Sequence, residues 1–391
     1  MMHTPQNSQE PGSCPESTQS DDRGDAHPGH ALSSTETDDP ITCPTPLAIV
    51  LSTYNGARFL EEQIVSILEQ SSKEWTLYIR DDGSSDDTWS IVQRFAERYP
   101  KSIIPLAFGP PSGGAKGGFS MLLNRLDADY FMTCDQDDVW LPEKVEKSLT
   151  LIRQEEAEHG ETYPILLHSR LQVVDANLSP LALSPWNGPK GHDQRTQIHR
   201  LILQNLITGA GMAGNRALLA KASPLPFERP IIMHDWWLAL VASLFGRIVL
   251  LNEPAVLYRQ HDENVCGALV DEKHIGPLLK LLRLLRQAGL IVFHLFFVRN
   301  YPSRSEFIQQ QLDYLDQTHD QTTVLIECYK DHIPTETTEI LHDFTRMKES
   351  GVISRLILAR KRGFRFGLLV RDFVYLFLWR RMKKQTREDR A

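Results

Sequence analysis

The stretch "LAIVLST", beginning at Leu47, is an unbroken apolar run of strand length. A strand that is apolar on both sides of its pleat can face water on neither, so it belongs inside a sheet covered on both faces. The following residues have the period of the covering element: Leu60, Ile64, Ile67 and Leu68 fall on one helical face. A second strand is predicted over 75–80. A second helix then carries Trp89, Val92, Phe95 and Tyr99 on one side, and "SSDD" before it reads as a capping box. A third strand over 102–108, a helix over 118–126, a strand over 129–134 and a helix opened by Pro142 continue the alternation. The series predicts an α/β protein built on an open, mostly parallel sheet flanked by helices.

Beyond about residue 160 the alternation loosens. Short strands are predicted at 165–168, 171–174, 248–251 and 255–259, with a Gly-rich "ITGAGMAGN" and a helix "HDWWLALVASLFG" between them. These read as a mixed extension of the same sheet. From Lys273 the chain reads as helical and ends in "KRGFRFGLLVRDFVYLFLWRRMKKQTR", both apolar and basic. Residues 1–46 are rich in Ser, Thr, Pro, Gly and Asp and poor in side chains that build a core, which predicts a disordered acidic leader. The expected division is therefore a leader over 1–46, an α/β domain over 47–267 and a helical, basic extension over 268–391.

A formal charge of -8 over 391 residues argues against a nucleic-acid partner. Five scattered cysteines form neither a disulfide framework nor a metal-ligand spacing, which suits a reducing cytosol. The N-terminal stretch lacks the apolar core of a secretory signal, and no segment reaches the roughly 18 uncharged apolar residues of a spanning helix.

The polar clusters of the first half all follow predicted strands: "STYNG", "RDDGS", "SGGAKGG" and "CDQDD". Open parallel sheets bind ligands at the carboxyl ends of their strands, so one shared site is the economical reading. Asp135, Asp137 and Asp138 lie within four positions, and carboxylates this close need positive charge to stay ionised in a partly dry cleft. Asp-x-Asp suits a hard divalent cation, Mg²⁺ or Mn²⁺, shared with the oxygens of a nucleotide diphosphate. The alternative for these aspartates is helix capping. "SGGAKGG" is not a phosphate loop of the GxxxxGK[ST] type, which excludes the kinase and ATPase readings.

"VLSTYNGARFLEEQIVSILEQ", "IRDDGSSDDT", "CDQDDVWLPEKV", "HDWWLAL" and "LYRQHDENV", in that order, resemble family 2 glycosyltransferases of the GT-A fold. Within them the chain resembles bacterial rhamnosyltransferases that build rhamnose-containing cell-surface polysaccharides. The resemblance implies that Tyr54 stacks on the nucleobase, that Asp82 accepts a hydrogen bond from it, and that Ser52 lies beside them. It makes Asp137 the main metal ligand with Asp135 as the other acidic member of the motif, and His261 a further candidate. It places Asp235 where the family has its catalytic base. Lys116, in a Gly-rich loop, is a candidate for a phosphate. His234, Trp236, Trp237 and Gly209 are candidates for the donor or acceptor sugar, one tryptophan being expected in the core. Arg80 is expected to pair with the carboxylates beside it.

The resulting expectation is a metal-dependent, inverting transferase moving L-rhamnose from dTDP-rhamnose to a growing polysaccharide or a lipid-linked saccharide. A UDP-hexose or UDP-N-acetylhexosamine donor is the alternative within the class, and a non-catalytic nucleotide-sugar-binding or scaffold subunit the alternative outside it. "GLIVFHLFF" and "DFVYLFLW" are too short to span a bilayer, but the second is flanked by basic residues. An interfacial helix on an anionic membrane surface fits this pattern, placing the protein in the cytoplasm or on the inner face of the plasma membrane. A core helix packed on the catalytic domain is the alternative.

Overall fold

The computed structural model describes residues 40–107, 109–183, 192–261 and 302–364. The predicted central strand is β2 (Leu47–Thr53), after a two-residue β1 (Ile41–Thr42). Its pleat sorts the core into two layers: Ala48 and Val50 pack into one buried cluster, and Leu47, Ile49 and Leu51 into the other. β3 (Trp75–Asp81) and β4 (Ile103–Leu106) lie to one side of it. On the other side lies β6 (Tyr130–Cys134), which follows the short β5 (Leu126–Asp127). Between them run α1 (Leu60–Leu68), α2 (Thr88–Arg98) and α3 (Ala115–Arg125).

The sheet continues through β7 (Val139–Trp140), α4 (Lys144–His159), β8 (Ile165–Val174) and β9 (Pro180–Leu183). Short turns α5 (His192–Arg195) and α6 (Ile198–Leu201) lead into β10 (Met212–Asn215), α7 (Arg216–Ala222), α8 (His234–Phe245) and β11 (Arg247–Arg259). The strand order is β4-β3-β2-β6-β10-β8-β11-β7, with β9 on β8. β2, β3, β4, β6, β8 and β11 run one way, while β10, β7 and β9 run against their neighbours.

That reversal positions the site. β10 lies antiparallel between β6 and β8, pairing Ala213 with Met132 and Met212 with His168. Its beginning therefore lies among the carboxyl ends of its neighbours, and the Gly-rich segment before it enters the cleft.

Several boundaries differ from the sequence reading. Strands 165–168 and 171–174 are one strand, β8, and the pair around 248–259 is one long β11 that absorbs Pro254 at a bulge. α3 begins before Gly118, at Ala115. "SSDD" forms no capping box; instead Asp86 Oδ1 accepts from Thr88 N (3.1 Å), and Asp81 Oδ2 accepts from Ser84 N (2.9 Å). Residues before 47 also take part in the fold: Ile41–Thr42 pair in parallel with Leu126–Asp127, and Thr45 Oγ1 bonds Thr76 Oγ1 at 2.9 Å.

Helices Pro302–Tyr329, Thr335–Met347 and Val352–Arg362 follow. Leu312, Leu315, Leu325 and Phe344 are buried in the same cluster as Trp236 and Trp237 of α8. Gln321 Oε1 accepts from Ile232 N at 2.8 Å, and Tyr314 Oη donates to Leu203 O at 3.0 Å. Among the described residues, no helix is long and apolar enough to cross a membrane. "GLIVFHLFF", "DFVYLFLW" and most of the 1–46 leader lie outside the described residues.

Candidate active site

The carboxyl ends of β2, β3 and β6 open into a cleft of about 780 Å³. Its wall includes Ser52, Tyr54, Asp82, Asp135, Asp137, Gly209, His234, Asp235, Trp236 and His261. Residues 183 positions apart, Ser52 and Asp235, thus share one space, as the four strand-end clusters predicted for the first half.

The Tyr54 side of the cleft is built by hydrogen bonds between loops. Asn55 takes a φ of 47°, a left-handed conformation that Asn tolerates, and its Oδ1 accepts from Ser85 N at 2.8 Å. Gln136, between the two aspartates, accepts from Thr53 Oγ1 (2.6 Å) and Tyr54 N (2.8 Å) and donates to Tyr54 O (3.1 Å). Tyr54 itself is 57% exposed at the rim, with its ring available to a flat ligand. Ser52 is covered by α3, where a Cβ added to Gly118 would meet its Oγ at 2.0 Å.

Asp82 is buried and accepts from Arg80 Nη1 (2.6 Å), Ser112 N (2.6 Å), Ser112 Oγ (2.9 Å) and Gly114 N (3.3 Å). These donors match the roughly four lone-pair sites of a carboxylate. Burial pushes its pKa up, but the Ser112 and Arg80 hydrogen bonds outweigh that and hold it below the usual range. In this conformation Asp82 ties the end of β3 to the Gly-rich loop, and a base could bond to it only by displacing one of these donors. Arg80 pairs with this carboxylate as expected.

Lys116 was expected in a Gly-rich loop and stands in a helix. It sits in the first turn of α3, its Nζ lies 3.4 Å from Ile231 O, and it is not part of the cleft wall.

At the acidic cluster, His261 Nε2 is 2.9 Å from Asp137 Oδ2. The pair shares a hydrogen bond, and a carboxylate oxygen with an imidazole nitrogen is a donor set that would suit a divalent cation. Asp135 lines the same cleft but does not complete a tight three-donor group; among the described residues such a group forms at Glu155, Glu158 and His159 of α4. Burial, with the charges of Asp137 and Asp235, pushes the Asp135 carboxyl up to about 7. Asp138 is fully buried, and its Oδ1 accepts from Arg259 N at 2.9 Å. Burial and the neighbouring aspartates raise it well above the carboxylate range.

Asp235 lies in the first turn of α8, two residues after the N-cap Met233. Its Oδ2 accepts from Gly209 N (3.0 Å), and its Oδ1 from Asn205 Nδ2 (3.1 Å) and Trp236 N (2.5 Å). Burial pushes its pKa up to about 7 against the pull of these donors. His234 is buried against Phe119, with ring centroids 4.3 Å apart, and burial pushes its pKa down to about 3. The two tryptophans part company. Trp236 lines the cleft and donates from Nε1 to Leu201 O at 2.6 Å, whereas Trp237 faces Tyr329 of the long C-terminal helix and belongs to the core.

Sequence reasoning missed Gln136, Asn205, Arg259 and Tyr314. Gln136 and Arg259 stood inside quoted motifs, between the aspartates and before His261. Arg259 is buried and donates to Asp137 O (2.7 Å) and Ala176 O (2.6 Å), and also reaches Glu62. Tyr314 reaches the cleft wall from a helix far downstream, which no local pattern announces.

Residues 48–191 match the sequence family "Glycosyl transferase family 2". The chain is 28% identical over 247 residues to the dTDP-rhamnosyl transferase RfbG of Shigella flexneri, covering 60% of this chain and 79% of that one. Among solved structures it resembles S. aureus TarS 1-349 in complex with UDP-GlcNAc (15% identical, TM-score 0.48, 87% and 92% of the two chains). It also resembles the mannosyltransferase PcManGT of Pyrobaculum calidifontis in complex with GDP-Man and Mn²⁺ (14% identical, TM-score 0.46, 81% and 74%). The stretch matched to that family, 48–191, supplies both the Tyr54 loop and the acidic cluster of the cleft.

Proposed function

We propose that the protein is a metal-dependent, inverting glycosyltransferase that moves L-rhamnose from dTDP-rhamnose to a growing cell-surface polysaccharide or a lipid-linked saccharide. The observation that carries this reading is the meeting of the Asp137–His261 pair and Asp235 in one cleft with the Tyr54 loop.

Asp235 is the base. Oδ1 accepts from Asn205 Nδ2 and Trp236 N and Oδ2 from Gly209 N, donors that fix the carboxylate for taking the proton of an acceptor hydroxyl. A pKa near 7 suits a general base working near neutrality. The acceptor oxygen then bonds the anomeric carbon as the bond from that carbon to the diphosphate oxygen breaks, and a single displacement inverts the centre. Tyr54 stacks the base, and neutral His234 beside Gly209 offers its ring nitrogens to a sugar hydroxyl. Asp137 and His261, with Asp135 nearby, would hold Mg²⁺ or Mn²⁺, which supplies positive charge to the departing diphosphate.

The rhamnosyl donor is supported by the likeness to a dTDP-rhamnosyl transferase and by the quoted motifs. The basic, apolar tail supports attachment to an anionic membrane surface from the cytoplasmic side. Measuring nucleoside diphosphate release from a panel of dTDP- and UDP-sugars, with and without Mn²⁺, tests the reading. Release from dTDP-rhamnose alone is expected. Preference for a UDP-sugar replaces the donor, and no release across the panel returns the non-catalytic subunit. Asp235→Asn should keep its melting temperature and donor affinity while losing transfer; normal transfer would place the base elsewhere.

A further inference from the structure

Lys144 is the one lysine among the described residues that is completely withdrawn from solvent, 1% exposed at the start of α4. A buried ammonium is costly, so a fold that keeps one uses it. Its surroundings are acidic, since Asp135 and Asp138 are within Coulombic reach, and its Nζ lies 3.3 Å from the centroid of the Trp140 ring. These contacts would suffice for a countercharge. The hydrogen bond of Lys144, however, goes elsewhere: Nζ donates to Ala210 O at 2.7 Å.

Ala210 is the middle of the turn Gly209–Gly211, which Gly211 N closes onto Thr208 O at 3.0 Å. The carbonyl before it, Gly209 O, accepts from Thr133 Oγ1 of β6 at 2.6 Å. The turn is thus held on its carbonyl side by two side chains from the acidic-cluster half of the cleft. On its amide side Gly209 N donates to Asp235 Oδ2 at 3.0 Å.

We infer that Lys144 is a positioning residue for Asp235: through Ala210 O it fixes the Gly209–Gly211 turn, whose amide sets the orientation of the carboxylate. Thr133 is its weaker partner on the same turn. The inference rests on Asp235 being the base.

The test is a double-mutant cycle on the full-length protein, with transfer kcat, donor KM and nucleoside diphosphate affinity measured for Lys144→Met, Asp235→Asn and the double variant. Lys144→Met should lower kcat by about 10- to 100-fold, the scale of a misplaced reacting group, and leave donor KM and diphosphate affinity unchanged. In the Asp235→Asn background it should cost nothing further, because the group it positions is gone. An equal loss in both backgrounds, a loss confined to donor affinity, or no loss overturns the proposal. If Lys144→Met fails to fold, Thr133→Val runs through the same cycle: a smaller kcat loss that vanishes in the Asp235→Asn background upholds it, and no loss overturns it. The base reading fails separately, on Asp235→Asn alone retaining transfer.

Discussion

Gln136 holds Tyr54 by both ends of its peptide, accepting from the N–H at 2.8 Å and donating to the C=O at 3.1 Å. One amide side chain therefore joins the loop after β2 to the acidic motif after β6. Gln136→Leu removes these bonds and the one from Thr53, each worth about 0.5–1.5 kcal/mol. Nucleoside diphosphate affinity should fall about tenfold as the Tyr54 loop loosens, equivalent to about 1.4 kcal/mol, and calorimetric titration would show it. Unchanged affinity would mean that the loop orders itself without Gln136.

Asp137→Asn keeps volume and can still bond His261, so the melting temperature should hold. Removing the charge should lower transfer by about 10³-fold or more and weaken Mn²⁺ binding, read by electron paramagnetic resonance. Near-normal turnover in the presence of chelator would take the cation out of the reaction.

The pH profile follows from the raised carboxyl of Asp235. A base must be ionised, so transfer should fall about tenfold per pH unit below about 7. Stability runs the other way. Because the folded pKa lies above the unfolded value of about 4, the folded state holds a proton that the unfolded state releases between those values. Stability from this group is therefore full below pH 4 and is lost as pH rises to about 7, at a slope of at most about 1.4 kcal/mol per unit. Asp135 adds a second decline in the same window. Melting curves of Asp235→Asn across pH 4 to 7 should show a shallower decline than those of the unmodified protein; identical slopes would refute the assignment.

Gly118→Ala should be costly for a steric reason, since its Cβ would lie 2.0 Å from Ser52 Oγ and 3.0 Å from Ser52 Cβ. Overpacking of this kind costs about 1–3 kcal/mol, and a thermal melt would register it. A neutral outcome would show that Ser52 can turn away freely.

The parallel half of the fold was legible because a strand buried on both faces leaves an unbroken apolar signature, and β2 has one. The bulged β11 was not, because Pro254 and its flanking polar residues look like a turn until β8 beside them is known to continue. In the cleft, Asp137, His261 and Asp235 were marked by residue type and motif. The residues that build the walls around them were not: Gln136 and Lys144 act through backbone groups, which have no letter in a sequence, and Asn205 meets the Asp235 carboxylate from 30 positions away. Lys116 stands in a helix for a like reason, as a lysine among glycines reads as a loop until α3 is seen to start at Ala115.

The reversed strand β10 has one more effect. Because it stands between β6 and β8, the cleft has an earlier bank drawn from residues up to Asp137 and a later bank drawn from Gln204 onward, including Tyr314. The stretch between them, α4 and β8 with its hairpin to β9, supplies no residue to either bank. A chimera spliced within α4 would exchange one bank against the other, and the Asp137–His261 pair is the seam across which the two parents would have to match.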